Sequence, residues 1–248
     1  MRLQVVGHRG ASGYVPETTL EAYRLAIEMG VDFVETDVHK LRDGTLVAIH
    51  DADLKRTTNG RGWVGNFGLA ELKALDAGSW FNNAYPEKAR PEYAGLQVPT
   101  LQEVIDLVKK SRAGLFIEIK DPERYQPDLE SSLLSLVRGN HMEKRARFLS
   151  FSAQSLCKIK ELDASIPTML LISKPRKNPV KAAVDIAADE LGLLYEYATP
   201  AIVNEARKQG LRISVWTVDK QEDMRRMIEL GVDSITTNYP DKLIQLLQ

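Results

Sequence analysis

Short apolar runs rich in β-branched residues alternate along this chain with longer runs whose apolar positions recur every three or four residues. LQVVG precedes TLEAYRLAIEMG, and DFVETDV with TLVAIH precedes TLQEVIDLVKK. LFIEIK precedes DLESSLLSLVRG, RFLSFS precedes AQSLCKIKELD, and TMLLIS precedes VKAAVDIAA. ELGLLY precedes PAIVNEARKQG, RISVWTV precedes QEDMRRMIELG, and SITTN precedes DKLIQLLQ. The short runs predict strands and the longer amphipathic ones predict helices. With TLVAIH taken as an extension of the DFVETDV step, eight βα units result. Such alternation predicts an α/β protein with a parallel sheet covered by helices. Eight units within 248 residues favour a closed (β/α)8 TIM barrel over an open doubly wound sheet. Gly30, Gly210 and Gly231 each follow a periodic run, where a helix C-terminal cap is expected.

The rhythm breaks between 51 and 99. TTNGRG, GSWFNN and the prolines Pro86, Pro91 and Pro99 are turn and loop chemistry. The stretch is longer than an ordinary barrel loop. It is expected to be an insertion within a single domain spanning 1–248. It follows His50, at the strand end where barrel sites lie, so a lid or substrate-entry element is the favoured role. Leu69, Leu72 and Leu75 ahead of Gly78 predict a short helix over 67–80.

Composition narrows the function classes. Lys and Arg number 33 against 34 Asp and Glu, a formal charge of -1. No bulk basic field is present to hold nucleic acid or an anionic membrane. No run approaches the roughly 18 apolar residues of a membrane span. The run Leu3 to Val6 is too short for a signal-peptide core and is broken by His8 and Arg9. A cytoplasmic protein without stable membrane insertion is expected. The single cysteine, Cys157, cannot form an internal disulfide, and its helical context predicts simple packing. Oligomeric state leaves no sequence signal.

The chemistry gathers at strand ends. Residues two apart in a strand share a face. Glu35 and Asp37 in VETDV are two apart, as are Glu118 and Lys120 in FIEIK. His8 ends the first apolar run and His50 ends VAIH. Each feature alone is more often a solvated edge, a surface ion pair or an ordinary histidine. Together they place polar side chains at the C-terminal ends of several strands, where barrel active sites lie. Three carboxylates at one mouth repel unless a cation sits among them, and oxygen donors suit Mg²⁺ or Ca²⁺ better than Zn²⁺. Glu35, Asp37 and Glu118 are the candidate ligands of one divalent cation. Arg9 and Lys120 beside it suit a phosphate-bearing substrate. Two histidines suit proton transfer to and from the reacting groups. The set points to phosphodiester cleavage.

These motifs resemble a known family. HRG with ASGYVPETT, then E-T-D, H-D with L-x-R-T-T-x-G, E-I-K and W-T-V-D are similar to the glycerophosphodiester phosphodiesterases, from His8 to about Asp241. The resemblance implies a TIM barrel with a small insertion after H-D. It implies hydrolysis of glycerophosphodiesters, such as glycerophosphocholine or glycerophosphoethanolamine, to sn-glycerol 3-phosphate and an alcohol. It also implies His8 and His50 as the acid/base pair, with His8 the first choice as starting base. Glu35, Asp37 and Glu118 are then the metal ligands, and Arg9 and Lys120 the phosphate-binding cations. Trp216 matches a tryptophan near the glycerol end of the pocket. Trp80 and Phe81 are candidates for the floor of the leaving-group pocket.

One position departs from the family pattern. P-E-N-T reads Pro16-Glu17-Thr18-Thr19 here. Thr18 with Glu21 fits a capping box, so one helix cap is expected to replace another. A phosphatidylinositol-specific phospholipase C or a lysophospholipase D is the alternative of similar chemistry. Either needs lipid access, and no amphipathic membrane helix stands out. A non-catalytic barrel is the alternative of another class, but it is expected to have lost a histidine or a carboxylate.

Overall fold

The computed structural model describes residues 2–120, 128–174 and 177–248. Its strands are β1 (Gln4–Gly7), β2 (Phe33–Lys40), β3 (Leu46–Ala48), β4 (Gly114–Ile119), β5 (Ala146–Ser150), β6 (Thr168–Ile172), β7 (Glu190–Leu194), β8 (Arg212–Trp216) and β9 (Ser234–Thr237). The helices are α1 (Leu20–Met29), α2 (Leu69–Lys73), α3 (Ser79–Ala84), α4 (Leu101–Lys109), α5 (Leu129–Gly139), α6 (Ala153–Leu162), α7 (Pro179–Val184), α8 (Pro200–Lys208), α9 (Gln221–Leu230) and α10 (Pro240–Leu246). All strands except β3 pair in parallel around a ring, and β1 bonds both β2 and β9, which closes the barrel. β3 folds back antiparallel on β2, the extension that TLVAIH predicted. A helix other than α2 and α3 follows each barrel step, so the (β/α)8 expectation is met.

Two apolar layers hold the barrel. Outward strand residues such as Val34, Ile117 and Ile213 pack on helix residues such as Ile105, Leu133 and Val203. Inside the ring, Val6, Phe116, Leu149, Met169 and Leu171 interdigitate. Polar residues at the N-terminal ends of the strands close the bottom. Glu190 is buried there beside Arg147 at 3.1 Å, and Gln4 accepts from Arg147 and Arg212 at 3.0 and 2.6 Å.

Two local expectations are corrected. Thr18 is not the cap of α1. Thr19 is: its backbone is extended and its hydroxyl accepts from Ala22 N at 3.2 Å. Thr18 lies at φ 59, in the left-handed region, with its Oγ1 buried and without a hydrogen bond. The reciprocal capping box appears instead at α4, between Thr100 and Glu103. The helix predicted over 67–80 is split into α2 and α3. Asp76 breaks it, because its carboxylate accepts from the amides of Gly78 and Ser79 and starts a new helix. Gly30 and Gly231 cap α1 and α9 in the left-handed region as expected. Cys157 is half-buried.

Residues 51–99 leave and return beside β3: Asp51 follows His50, and Ala48 N donates to Pro99 O at 2.9 Å. Leu54, Val64, Leu72 and Val98 form a second small core under this segment with Val47 and Ile49. Phe81 and Tyr93 anchor its far part against Val15 and Ala22 of the β1–α1 region.

Candidate active site

Register brings the acids together. Asp37 of β2 pairs directly with Glu118 of β4, and Glu35 pairs with Phe116. Paired positions on adjacent parallel strands point to the same side, here the barrel interior. One carboxylate oxygen from each of Glu35, Asp37 and Glu118 falls within 4.8 Å of the others, and all three residues are buried. Arg9 Nε lies 3.3 Å from Asp37, and the Arg9 amide donates to Glu35 at 2.9 Å. Lys120 Nζ lies 3.0 Å from Asp37 and 2.5 Å from Glu118. Despite these ion pairs, both Asp37 oxygens and Glu118 Oε1 lack an aligned hydrogen bond.

The electrostatics state what the cluster lacks. Burial raises Glu118, Lys120 pulls it back and Asp37 raises it again, leaving it pushed up to about 7. Burial first, then the Asp37 and Glu118 charges, hold Glu35 well above the usual carboxylate range. Burial also opposes Asp37, but Lys120 and Arg9 overcome it and hold that carboxyl low. Three acids face two cations, so one further positive charge at this point relieves the repulsion. Buried oxygens without aligned donors, from an all-oxygen set, fit a hard divalent cation.

The histidines flank this cluster with different partners. His8 N donates to Thr237 O at 2.9 Å, which continues the β1–β9 ladder and sets the imidazole beside Asn238. His8 Nδ1 meets Asn238 Oδ1 at 2.7 Å. Asn238 Nδ2 donates to Asp219 at 2.6 Å, so its oxygen is the group facing His8 and the proton on that bond belongs to His8 Nδ1. His50 follows β3, held because Ile49 N donates to Asp37 O at 3.0 Å. Its Nδ1 lies 2.5 Å from Asp51, a carboxylate that Arg56 also grips at 2.6 Å. Each ring therefore offers Nε2 as its free nitrogen. Burial, then Arg9, lowers His8 to about 4. Burial also lowers His50, against the pull of Asp37, and with Arg9 and Lys120 it outweighs the smaller help from Asp51.

The surrounding loop is tightly built. Gly10 of the HRG triplet sits at φ 84, and a Cβ there would lie 2.4 Å from the Ala22 backbone, so only glycine lets the loop press on α1. Arg9 also pairs with Glu17 at 2.8 Å, and Arg56 grips the same Glu17 at 2.7 and 2.9 Å. One chain of charges thus runs from Asp37 through Arg9, Glu17, Arg56 and Asp51 to His50. Trp216 ends β8 and lines a cavity of about 160 Å³ together with His8, Arg9, His50, Lys120 and Leu171. Phe151 stands edge-on to Trp216, with ring centroids 5.6 Å apart.

Eight residues singled out from the sequence, His8, Arg9, Glu35, Asp37, His50, Glu118, Lys120 and Trp216, meet at this mouth, while the other two candidates, Trp80 and Phe81, line a separate cavity with Tyr85 and Lys88. Asn238 stands outside the family motifs quoted above, and Glu17, Arg56 and Asp219 stand inside P-E-T-T, L-x-R-T-T-x-G and W-T-V-D without a role that spacing could assign. Asn238 carried a usable signal, since it ends β9 as His8 ends β1.

A mouth of this charge and shape accommodates a phosphoryl group, and the chain falls in the class of barrel-type phosphoric diester hydrolases. The model of the glycerophosphoryl diester phosphodiesterase family matches residues 8–242, and the chain belongs to that family. It is 42% identical to a glycerophosphodiester phosphodiesterase of Bacillus subtilis over 97% of this chain and 85% of that protein. It is 38% identical to one from Caldanaerobacter subterraneus, over 100% of this chain and 99% of that protein. Among solved structures, an Oleispira antarctica phosphodiesterase in complex with the product sn-glycerol-3-phosphate superposes with a TM-score of 0.89 at 28% identity, covering 98% of this chain and 95% of the other. A glycerophosphodiester phosphodiesterase from Agrobacterium tumefaciens superposes at 0.84 with 30% identity, over 98% and 100% of the two chains.

Proposed function

We propose that the chain converts a glycerophosphodiester and water to sn-glycerol 3-phosphate and an alcohol, with His8 and His50 as its proton-transfer pair. The observation that carries this reading is the single mouth at which three buried acids and two cations stand between two differently backed histidines. Glu35, Asp37 and Glu118 would hold one Mg²⁺ or Ca²⁺, which supplies neutralisation of charge on the phosphoryl oxygens. Arg9 and Lys120 bind the same oxygens. Trp216 walls the glycerol end.

The backing groups support the other order, with His50 rather than His8 as the starting base. A carboxylate behind His50 strengthens Nε2 as a proton acceptor. An amide behind His8 gives no such help. His50 therefore takes the proton of the glycerol hydroxyl next to the phosphate as that oxygen bonds to phosphorus. The bond to the leaving alcohol breaks, leaving a cyclic phosphate, and the alcohol oxygen takes a proton from the His8 imidazolium, which forms only if the bound anionic diester offsets the lowering that burial and Arg9 impose. Water then opens the cyclic phosphate with the two roles exchanged.

The test is a panel of glycerophosphodiesters assayed for glycerol 3-phosphate with and without chelator, beside lysophosphatidylcholine. Release from the water-soluble diesters, abolished by chelator, is expected. Turnover of the lysolipid alone, or of nothing, contradicts the proposal.

A further inference from the structure

Another cavity, about 170 Å³, is lined by His8, Arg9 and Asn238 of the barrel mouth and by Trp80, Tyr85 and Lys88 of the 51–99 segment. It shares only His8 and Arg9 with the Trp216 cavity. Four aromatic residues, Trp80, Phe81, Tyr85 and Tyr239, line it beside polar groups that include Ser12, Glu17 and Asn238. A cation already lies among the rings. Lys88 Nζ stands 5.2 Å from the Tyr85 ring centroid and 5.9 Å from that of Tyr239, and donates to Gly13 O at 2.9 Å. Lys242 Nζ also lies 3.7 Å from the Tyr239 ring. Glu17, the one carboxylate lining the cavity among the described residues, is gripped by Arg9 and Arg56.

The Trp216 and Lys88 cavities meet at His8 and Arg9, so a diester with its phosphoryl group against Arg9 reaches both, whereas a larger cavity of about 730 Å³ beside His50 and Lys120 has neither His8 nor Arg9 in its lining. Resting on the proposed hydrolysis, with the glycerol half at Trp216, we infer that the Lys88 cavity is the subsite for the leaving alcohol and that it selects hydroxyl-rich or anionic alcohols over quaternary ammonium ones. Aromatic rings of this kind attract an alkylammonium head. Here Lys88 occupies that place and repels a second cation, while its N–H groups remain donors for hydroxyl or carboxylate oxygens. The leaving oxygen at the cavity mouth is then beside His8, the proton donor of the proposed reaction. The 51–99 segment supplies Trp80, Tyr85 and Lys88, which gives it a direct part in choosing the substrate.

The experiment compares kcat/KM for glycerophosphoglycerol and glycerophosphocholine in the wild type, Lys88→Met and Lys88→Arg, reading glycerol 3-phosphate. The wild type should favour the glycerol diester by about tenfold, the scale of one like-charge contact at partial exposure. Lys88→Met should erase most of that ratio, through a loss on the glycerol diester and a gain on the choline diester. Lys88→Arg should keep it. A wild-type preference for choline overturns the inference, as does a ratio that Lys88→Met leaves within twofold; in both cases the hydrolase reading stands. If the wild type cleaves neither diester, both fall together.

Discussion

Thr18 and Asp51 are small parts of the site whose conformations have measurable consequences. Thr18 is a β-branched residue held at φ 59, with a buried hydroxyl that bonds nothing. Asparagine visits the left-handed region more readily. Thr18→Asn should therefore stabilise the protein by about 1 kcal/mol, raising Tm by roughly 2–4 °C for a chain of this size, with kcat little changed. A large rise in kcat would show instead that this side chain reaches the substrate. Asp51 backs His50 at 2.5 Å. Asp51→Asn should lower kcat by about 10²–10⁴-fold while thermal melting stays close to wild type. An unchanged kcat would remove His50 from the proton path. Residue-level legibility followed sequence distance. The strand-end residues could be read because the two-residue period assigns a face. Arg56 and Glu17 are 39 positions apart and meet only because the segment after His50 folds back, so no spacing announces them. The cap position is ambiguous in sequence because two adjacent threonines both precede α1 and the four-residue pattern fits the first, whereas the structure caps with the second.

Elements were legible where one periodicity ran unbroken. The eight parallel strands and their helices follow from apolar alternation, and the antiparallel β3 follows from a short run too close to β2 for a crossover. The segment 51–99 was legible only as an interruption. Its fold rests on a few contacts between distant residues: Leu54, Val64 and Leu72 cover Val47 and Ile49, and Asp76 interrupts the helical run. Leu72 is fully buried on the short helix α2. Leu72→Ala should cost about 3 kcal/mol, read as a shift in denaturant midpoint. A cost below about 0.5 kcal/mol, the range of surface changes, would mean that this core does not hold the segment in place.

At the scale of the whole molecule, the barrel keeps two halves of its interior chemically separate. An apolar layer from Val6 to Leu171 divides the ion pairs of the lower end, around Glu190, from the acids of the upper end. The upper cluster links stability to pH. Glu118 is pushed up from 4.5 to about 7, so its ionisation opposes folding as pH rises through that window. A cation among the carboxylates removes this cost, and below about pH 7 it must first displace the Glu118 proton. The rise in Tm on adding Mg²⁺ or Ca²⁺ should therefore be larger at pH 8 than at pH 6. Equal shifts would place the bound cation elsewhere. The most direct test of the account is glycerol 3-phosphate formation measured against divalent cation concentration, in chelator-stripped wild type and in Asp37→Asn. Saturable restoration in the wild type, and at least a hundredfold lower rate in Asp37→Asn at every concentration, is the predicted result. Full activity in the stripped protein, or an unchanged titration in Asp37→Asn, would contradict it.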